Sequence, residues 1–541
     1  MRKAQKTQIE DIFALARKAH EAIRGALDKE DRTNAMQLLS SCQESAIQAG
    51  NLIEQTEGED VPAIRAIEDY CETCWQIYER TRQGEEQKPS GVYRLLQRKL
   101  AEMDSSVRLT IPVRLEIAFF CYKADMSDCL ESIYHAAKED PSCDAYFIPV
   151  PYYEKYPDGT FGEMYDEAEK GYPGNYELVD WRSYNVETRR PDIIYIMNPY
   201  DEDNNMISVH PDYYALKLRD LTDCLVYVPY HLQRAVPSPG VGTLAGVFFA
   251  DLTFVQSENV RERYIESYVQ ENEIEGLTVR TAKQKIVAMG SPKTDKLVRT
   301  DREDYTLPEA WREAASSDDP HHRTVLYNLS VSSALNMVED GGKLYLGKIR
   351  SALEFFKDRS DVTLWLRPHS LLHQTLRFMD GQLADEYEEI IREYKEAGWG
   401  IYDDTPDLNR AVAWCDACYG DENSVALMFE FLGKPSLIQN IENAGSEPRE
   451  AGDEEAVRAA VDALVNTGEE NSYIMYEAAE QTEDGRLSTA DFLGHMDVIL
   501  EYAPAQMEKC RKLYANADGT AGEKIHAYTT SLLRRARREE L

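Results

Sequence analysis

Gly420-Asp421-Glu422-Asn423-Ser424, followed by Val425-Ala-Leu-Met-Phe-Glu430-Phe-Leu-Gly433-Lys434-Pro435, is the stretch whose reading decides the fold class. Ahead of it, Ala411 to Tyr419 forms an apolar, strand-like run with small residues. Behind it, Ser436-Leu-Ile-Gln439 reads as the next strand. A strand, a polar turn, a helix stopped at Gly-Lys-Pro and a second strand make one unit of a parallel α/β sheet. The first N–H groups of a helix have no intrahelical partner, so such a turn also suits an anion. Ser424 suits the N-cap position, and Glu430 lies about two turns further along. Taken alone, the segment is an ordinary βα turn with a good cap.

The same alternation extends in both directions. Short β-rich runs occur at Arg114–Cys121, Tyr146–Val150, Asp192–Met197, Leu225–Tyr230, Leu252–Gln256 and Lys285–Met289. After a polar connection they resume at Thr324–Leu329, Val362–Leu366, Asp416–Tyr419 and Ser436–Gln439. Two successive parallel sheets, each with helices on both faces, are the GT-B-type pair of Rossmann-like domains, and ligands in such sheets bind beyond the carboxyl ends of the strands. Residues 1–90 read as helices only, with apolar faces through Ile9, Phe13, Ala16, Ile23 and Leu27, through Met36, Leu39, Cys42, Ala46, Leu52 and Ile53, and through Ile64, Ile67, Tyr70, Cys74 and Ile77. His20 falls on the first face as a packing histidine. The expected organisation is a helical module at 1–90, an N-terminal Rossmann-like domain at 110–300, a C-terminal Rossmann-like domain at 301–500 and a helical segment at 501–541. The last helical segment, basic around Arg534-Arg-Ala-Arg-Arg538, could return to the first half or lie on a surface, and a solvated terminal helix is the expectation.

With 541 residues, 43% of them hydrophobic, the chain has ample length for several cores. Asp plus Glu total 97 against 60 Lys plus Arg, a formal net charge of −37, which opposes nucleic acid and anionic lipid as general partners. No apolar run approaches the roughly 18 residues of a membrane span. The N-terminus has no signal-peptide core, so a cytoplasmic protein is expected. Ten scattered cysteines do not form a disulfide pattern. Cys71/Cys74 and Cys415/Cys418 have metal-like spacing but no local partner group, so they read as buried thiols and no metal is assigned. There is no Gly-x-Gly-x-x-Gly after a strand, no P-loop and no Gly-x-Ser-x-Gly elbow. A dinucleotide oxidoreductase, a phosphate-loop NTPase and an α/β-hydrolase are thereby disfavoured.

Two other strand ends carry chemistry. Val362–Leu366 is followed at once by Arg367-Pro368-His369. Arg can clamp a phosphate through two N–H groups, and a protonated His can stabilise a leaving phosphate. Leu225-Val-Tyr-Val-Pro-Tyr-His231 ends another strand, and His210 in Val209-His-Pro211 is the alternative to His231. Lys293 and Lys296 of Gly290-Ser-Pro-Lys-Thr-Asp-Lys296 could add positive potential, and Asn198-Pro-Tyr-Asp201 could face an acceptor.

With these motifs in view, the chain resembles the CDP-glycerol glycerophosphotransferase family, the teichoic-acid polymerases and primases, as a divergent bacterial member. There an Asp-Tyr-Ser-Ser turn precedes a helix with Phe-Glu-Phe and then Lys-Pro. Asp421, Ser424, Phe429-Glu430-Phe431 and Lys434-Pro435 match, as does Arg367-Pro368-His369, whereas Glu422 and Asn423 depart. The family's His-Gly pair stands here as His231-Leu232. The matches run from about residue 115 to 440.

The resemblance implies transfer of glycerol phosphate, or a related polyol phosphate, from a CDP-linked donor to an acceptor hydroxyl in cell-wall polymer synthesis. The acceptor would be a polyol phosphate or glycan, free or lipid-linked, met at the inner face of the membrane, with no cofactor. It further implies that Arg367, His369, Asp421 and Ser424 hold the diphosphate, that Glu430 binds ribose or a donor hydroxyl, and that His231 is the base. The competing readings are a sugar-nucleotide-dependent GT-B glycosyltransferase and a non-catalytic glycan-binding scaffold.

Overall fold

The computed structural model describes residues 1–156, 158–233, 240–271, 279–336, 342–439, 448–467, 474–483 and 486–539. Contacts divide the chain into two units, Met1–Glu116 with Asp140–Asp144, and Ile117–Glu139 with Ala145–Leu541.

The first unit is built on α1 (Lys3–Asp28), α2 (Arg32–Glu57), α3 (Pro62–Arg82) and α4 (Pro89–Thr110). The three apolar faces read from sequence supply its core, joined by Leu96, Leu100, Met103 and Val107 of α4, a helix beyond the ninetieth residue. Pro62 and Pro89 begin their helices where a missing N–H costs nothing. His20 is fully buried, with Nε2 2.7 Å from the Tyr70 hydroxyl, which also bonds Cys42 and Cys74.

Burial lowers the His20 pKa from 6.5 to about 4. The unfolded chain therefore binds a proton that the folded unit resists, so stability is lost as pH falls from 6.5 toward 4. The loss should approach about 3 kcal/mol. Melting curves at about pH 7.5 and pH 4.5 should show a larger drop for the wild type than for His20→Gln. Equal drops would contradict this account.

In the second unit the expected alternation is present. Sixteen strands fall into three sheets among the described residues: β1 (Leu115–Cys121), β2 (Cys143–Pro149), β3 (Tyr152–Lys155), β4 (Phe161–Tyr165), β5 (Ile193–Ile196), β6 (Ile207–Val209), β7 (Cys224–Tyr227), β8 (Leu252–Val255), β9 (Ile286–Ala288), β10 (Arg323–Leu329), β11 (Val362–Pro368), β12 (Ile401–Tyr402), β13 (Ala417–Gly420), β14 (Ser436–Ile438), β15 (Tyr476–Ala478) and β16 (Arg486–Leu487). The first sheet has the order β2-β1-β5-β7-β8-β9 and the second β12-β11-β10-β13-β14-β15-β16. Pairing is parallel from β1 through β9 and throughout the second sheet. A small antiparallel sheet, β4-β3-β6, was not legible in sequence.

The second sheet shows why its strands are continuously apolar. Val325, Tyr327, Leu364 and Leu366 enter one core, and Leu326 and Trp365 enter the other, so both faces are covered. Ala411–Trp414, read as strand, belongs instead to the helix Leu408–Trp414, and β13 begins at Ala417.

The C-terminal helix is not a solvated surface helix. It runs Ala521–Glu539 and packs on α5 (Asp128–Glu139) in the first α/β half. A Cβ on Gly522 would lie 2.2 Å from the Ser132 hydroxyl. The Asp295 carboxylate accepts N–H groups of Ala521 at 3.0 Å and Gly522 at 2.7 Å, together with the Ser132 hydroxyl at 2.7 Å. Just before it, Ala515 N–H donates to Gln256 O and the Asn516 amide to Met289 O. The chain thus ends by returning to the half in which α5 lies. The side chains of 537 and 538 in the basic run lie outside the described residues. No described helix is long and apolar enough to cross a membrane.

Candidate active site

In the second sheet the strand order reverses between β10 and β13: β11 and β12 lie on one side, β14 to β16 on the other. The connections leaving these two strands diverge and open a crevice. Gly420 makes the close approach. Its φ is +123°, and a Cβ there would lie 2.3 Å from Asn328 O. Asp421 N–H donates to that carbonyl at 2.9 Å. The side-chain amides of Asn328 and Asn423 exchange hydrogen bonds of 2.8 and 3.1 Å, tying the two turns together.

Asn423, not Ser424, is the N-cap. Its side-chain oxygen accepts Val425 N–H at 2.8 Å, and Ser424 is the first residue of the helix Ser424–Phe431. Asn satisfies the cap geometry as well as Ser, so the departure from the family turn leaves the helix start intact. The N–H groups of Ser424 and Ala426 have no intrahelical acceptor; Ser424 is half-buried at the turn, whereas Ala426 is fully buried. Across from them, Ser330, Ser332 and Ser333 form a hydroxyl cluster, with Ser330 Oγ 3.2 and 3.0 Å from the other two. The run Asn328-Leu-Ser-Val-Ser-Ser333 after a strand was the signal for it.

Asp421 is not placed to meet a ligand. It is 1% exposed, and both its oxygens are engaged within the protein. Oδ2 accepts Ser330 N–H at 2.6 Å and the Tyr345 hydroxyl at 3.2 Å, and Oδ1 pairs with the buried Lys348 ammonium. Its work is to pin the β10 and β13 turns to the helix Lys343–Phe356.

At the end of β11, Arg367 pairs with Asp403 at 2.8 Å and donates to Thr405 O at 2.7 Å. Asp403 is fully buried and also takes the Trp365 indole N–H. The guanidinium expected to clamp phosphate is thus committed to a carboxylate, and it orders the loop beside the site. His369 keeps its expected position. Its N–H donates to Leu329 O at 2.9 Å, and its Nδ1 accepts Leu371 N–H at 3.1 Å. With Nδ1 accepting, the neutral ring carries its proton on Nε2. Burial, the largest influence, lowers its pKa despite the opposing pull of Asp125. The ring is therefore a neutral N–H donor and not the imidazolium expected.

Glu430 lies in the last turn of its helix, 4% exposed, near Tyr476 and Cys510. That helix runs from the carboxyl end of β13 back to the start of β14, so Glu430 sits at the far end from the crevice. This placement does not suit contact with a donor hydroxyl. Lys434 caps the helix Leu408–Trp414 by donating to Val412, Ala413 and Cys415 carbonyls at 2.7, 3.0 and 2.8 Å.

His231 does not offer a base. Gln233 Nε2 lies 3.2 Å from its Nε2, and if that nitrogen accepts, the neutral ring carries its proton on a buried Nδ1 without a partner. Burial, then the Lys293 charge, bring its pKa down to about 4. His210 accepts Asp212 N–H at 3.2 Å and lies among Tyr153, Trp181 and Tyr213, against the small antiparallel sheet. Lys293 and Lys296 are paired with Asp128 and Glu131, so they add little free potential. Asp201 caps the helix Ala215–Leu218 through Ala215 N–H at 2.9 Å. Nine of the ten cysteines are buried and Cys71 is half-buried.

No family model and no curated protein matches the chain. Among solved structures it is similar to a UDP complex of MnaA from S. aureus, at 11% identity and a TM-score of 0.43, over 78% of this chain and 97% of that one. It is similar to a putative UDP-N-acetylglucosamine 2-epimerase from Listeria monocytogenes, at 12% identity and 0.43, over 78% and 98%. It is also similar to the wall teichoic acid polymerase TagF, at 14% identity and 0.40, over 88% and 98%. By its own sheet topology, the second unit is a GT-B-type pair of parallel α/β halves.

Proposed function

We propose that the second unit is a transferase that moves glycerol phosphate, or a related polyol phosphate, from a CDP-activated donor to an acceptor hydroxyl. The observation that carries this reading is the convergence at the β10–β13 reversal. There the first turn of the Ser424–Phe431 helix, the hydroxyls of Ser330, Ser332 and Ser333, and the β11 exit with His369 come from three neighbouring strand ends. Backbone N–H groups and a helix N-terminus favour phosphate oxygens. The matched motif residues agree with a CDP-polyol as the donor.

In this reading the hydroxyl and N–H of Ser424 hold the diphosphate, and His369 Nε2–H stabilises the leaving CMP. Arg367, Asp421 and Asn423 act by holding the loops in register, and Glu430 belongs to the core. Catalysis rests on positioning and electrostatic stabilisation, as loose phosphoryl transition states require.

A thermal-shift screen tests the donor class. CDP-glycerol or CDP-ribitol should raise the melting temperature, with stabilisation of about 2.7 kcal/mol at a hundredfold excess over Kd. A shift only with UDP- or GDP-sugars would instead favour a glycosyltransferase, and no shift with any donor would favour a binding scaffold.

A further inference from the structure

The first sheet reverses its strand order between β1 and β5, because β2 lies on one side of β1 and β5, β7, β8 and β9 run off the other. A second crevice follows at the carboxyl ends of β1 and β5. Tyr122-Lys123-Ala124-Asp125 leaves β1 there, and Asn198-Pro199-Tyr200 leaves β5. The Lys123 ammonium is buried and lies 3.0 Å from Glu167 Oε1 and 3.2 Å from the Tyr152 hydroxyl, while Glu167 Oε2 accepts Ala124 N–H at 2.9 Å. These groups satisfy one another and hold the β1 loop.

Asp125 stands apart from that arrangement. Its carboxylate accepts the Ser370 hydroxyl from the second half, directly after His369, and it lies in the fields of Lys123, His369 and Arg367. Burial raises its pKa, but these neighbours and the Ser370 hydroxyl outweigh burial and keep it ionised. Its Oδ1 is fully buried and has no hydrogen-bond partner. Leaving a buried anionic oxygen without a donor costs free energy, so the position calls for an explanation in function. The buried Tyr122 lies near Asp125, and Tyr230, which bonds to the Tyr200 hydroxyl, lies near Tyr122, so buried and half-buried tyrosine rings with polar tips line this end of the sheet.

Building on the donor reading above, we propose that Asp125 receives the acceptor hydroxyl, and that the acceptor is a polyol or sugar seated against Tyr122, Tyr200 and Tyr230. The acceptor O–H donates to Asp125 Oδ1, and the acceptor oxygen attacks the phosphorus that bears glycerol. A new oxygen–phosphorus bond forms as the bond from that phosphorus to the bridging oxygen breaks. CMP departs with the electron pair, and the proton passes to the Asp125 carboxylate and then to water. A loose transition state needs orientation more than base strength, which a well-ionised carboxylate can supply. Because Oδ1 is covered, acceptor entry requires the Ser370 contact to part.

The test uses the full chain with CDP-glycerol and a glycerol-phosphate oligomer. Asp125→Asn should lower kcat by about a hundredfold while donor Kd stays within about threefold and the melting temperature holds. Asp125→Ala should be partly rescued by formate, a response that a structural role would not give. A wild-type rate in Asp125→Asn, or a folded and donor-binding Asp125→Ala that formate leaves inactive, would overturn the proposal. So would equal losses of donor binding and turnover. A wild-type protein that neither binds nor uses any CDP-polyol would remove the donor reading itself, and this inference with it.

Discussion

Asp421→Ala is expected to destabilise the second α/β half by about 3–5 kcal/mol, because it strands a buried ammonium. Lys348 is 3% exposed, and Asp421 is its carboxylate partner. The same substitution leaves Ser330 N–H and the Tyr345 hydroxyl without their shared acceptor. Replacing both charges together, as Asp421→Leu with Lys348→Met, should recover the part of the loss due to the stranded ammonium, while the Ser330 N–H and Tyr345 hydroxyl stay without their acceptor. The double variant should still bind donor poorly, because Ser330 and the β13 turn are no longer pinned. Urea unfolding and donor titration on the three proteins check this. A single variant within about 1 kcal/mol of wild type would show that Lys348 reaches solvent or another partner.

His369→Ala should lower transfer by about a hundredfold to a thousandfold, the effect of removing one well-placed donor from a developing charge. Donor affinity should fall much less, and Ser424→Ala should cost only about threefold, since the backbone N–H groups of the helix remain. His231→Asn should also leave turnover within about threefold, because neither ring nitrogen is placed to take up a proton. The pH profile separates the two protonation states of His369. Its pKa is lowered, so the neutral Nε2–H donor persists as pH rises through 6.5. The rate should not fall over that interval. A fall would assign the donor to an imidazolium.

The sequence revealed the parts of this fold that are governed by period and local punctuation. All ten strands inferred from it are present, since continuous Val, Ile, Leu and Tyr runs such as Val362–Leu366 are what a sheet covered on both faces requires. What escaped it depends on distant partners. Nothing near Asp421 in the chain signals Lys348, 73 residues earlier, and nothing near Arg367 signals Asp403 across the loop. Both residues therefore looked like ligand groups when their charges were already committed. Asn423 as the cap was closer to legible, because Asn and Ser both fit that position. Asp125 carries no local motif at all, and becomes conspicuous only when β1, β5 and the β11 exit are brought together.

The most direct measurement is a crystal structure of the protein with CDP-glycerol bound. Its diphosphate should lie at the β10–β13 reversal, with phosphate oxygens about 2.7–3.1 Å from the N–H group of Ser424 and from His369 Nε2. A nucleotide bound elsewhere, such as the 580 Å³ groove lined by Arg350, Phe355, Tyr394 and Trp399, with the Ser424 turn empty, would contradict the account.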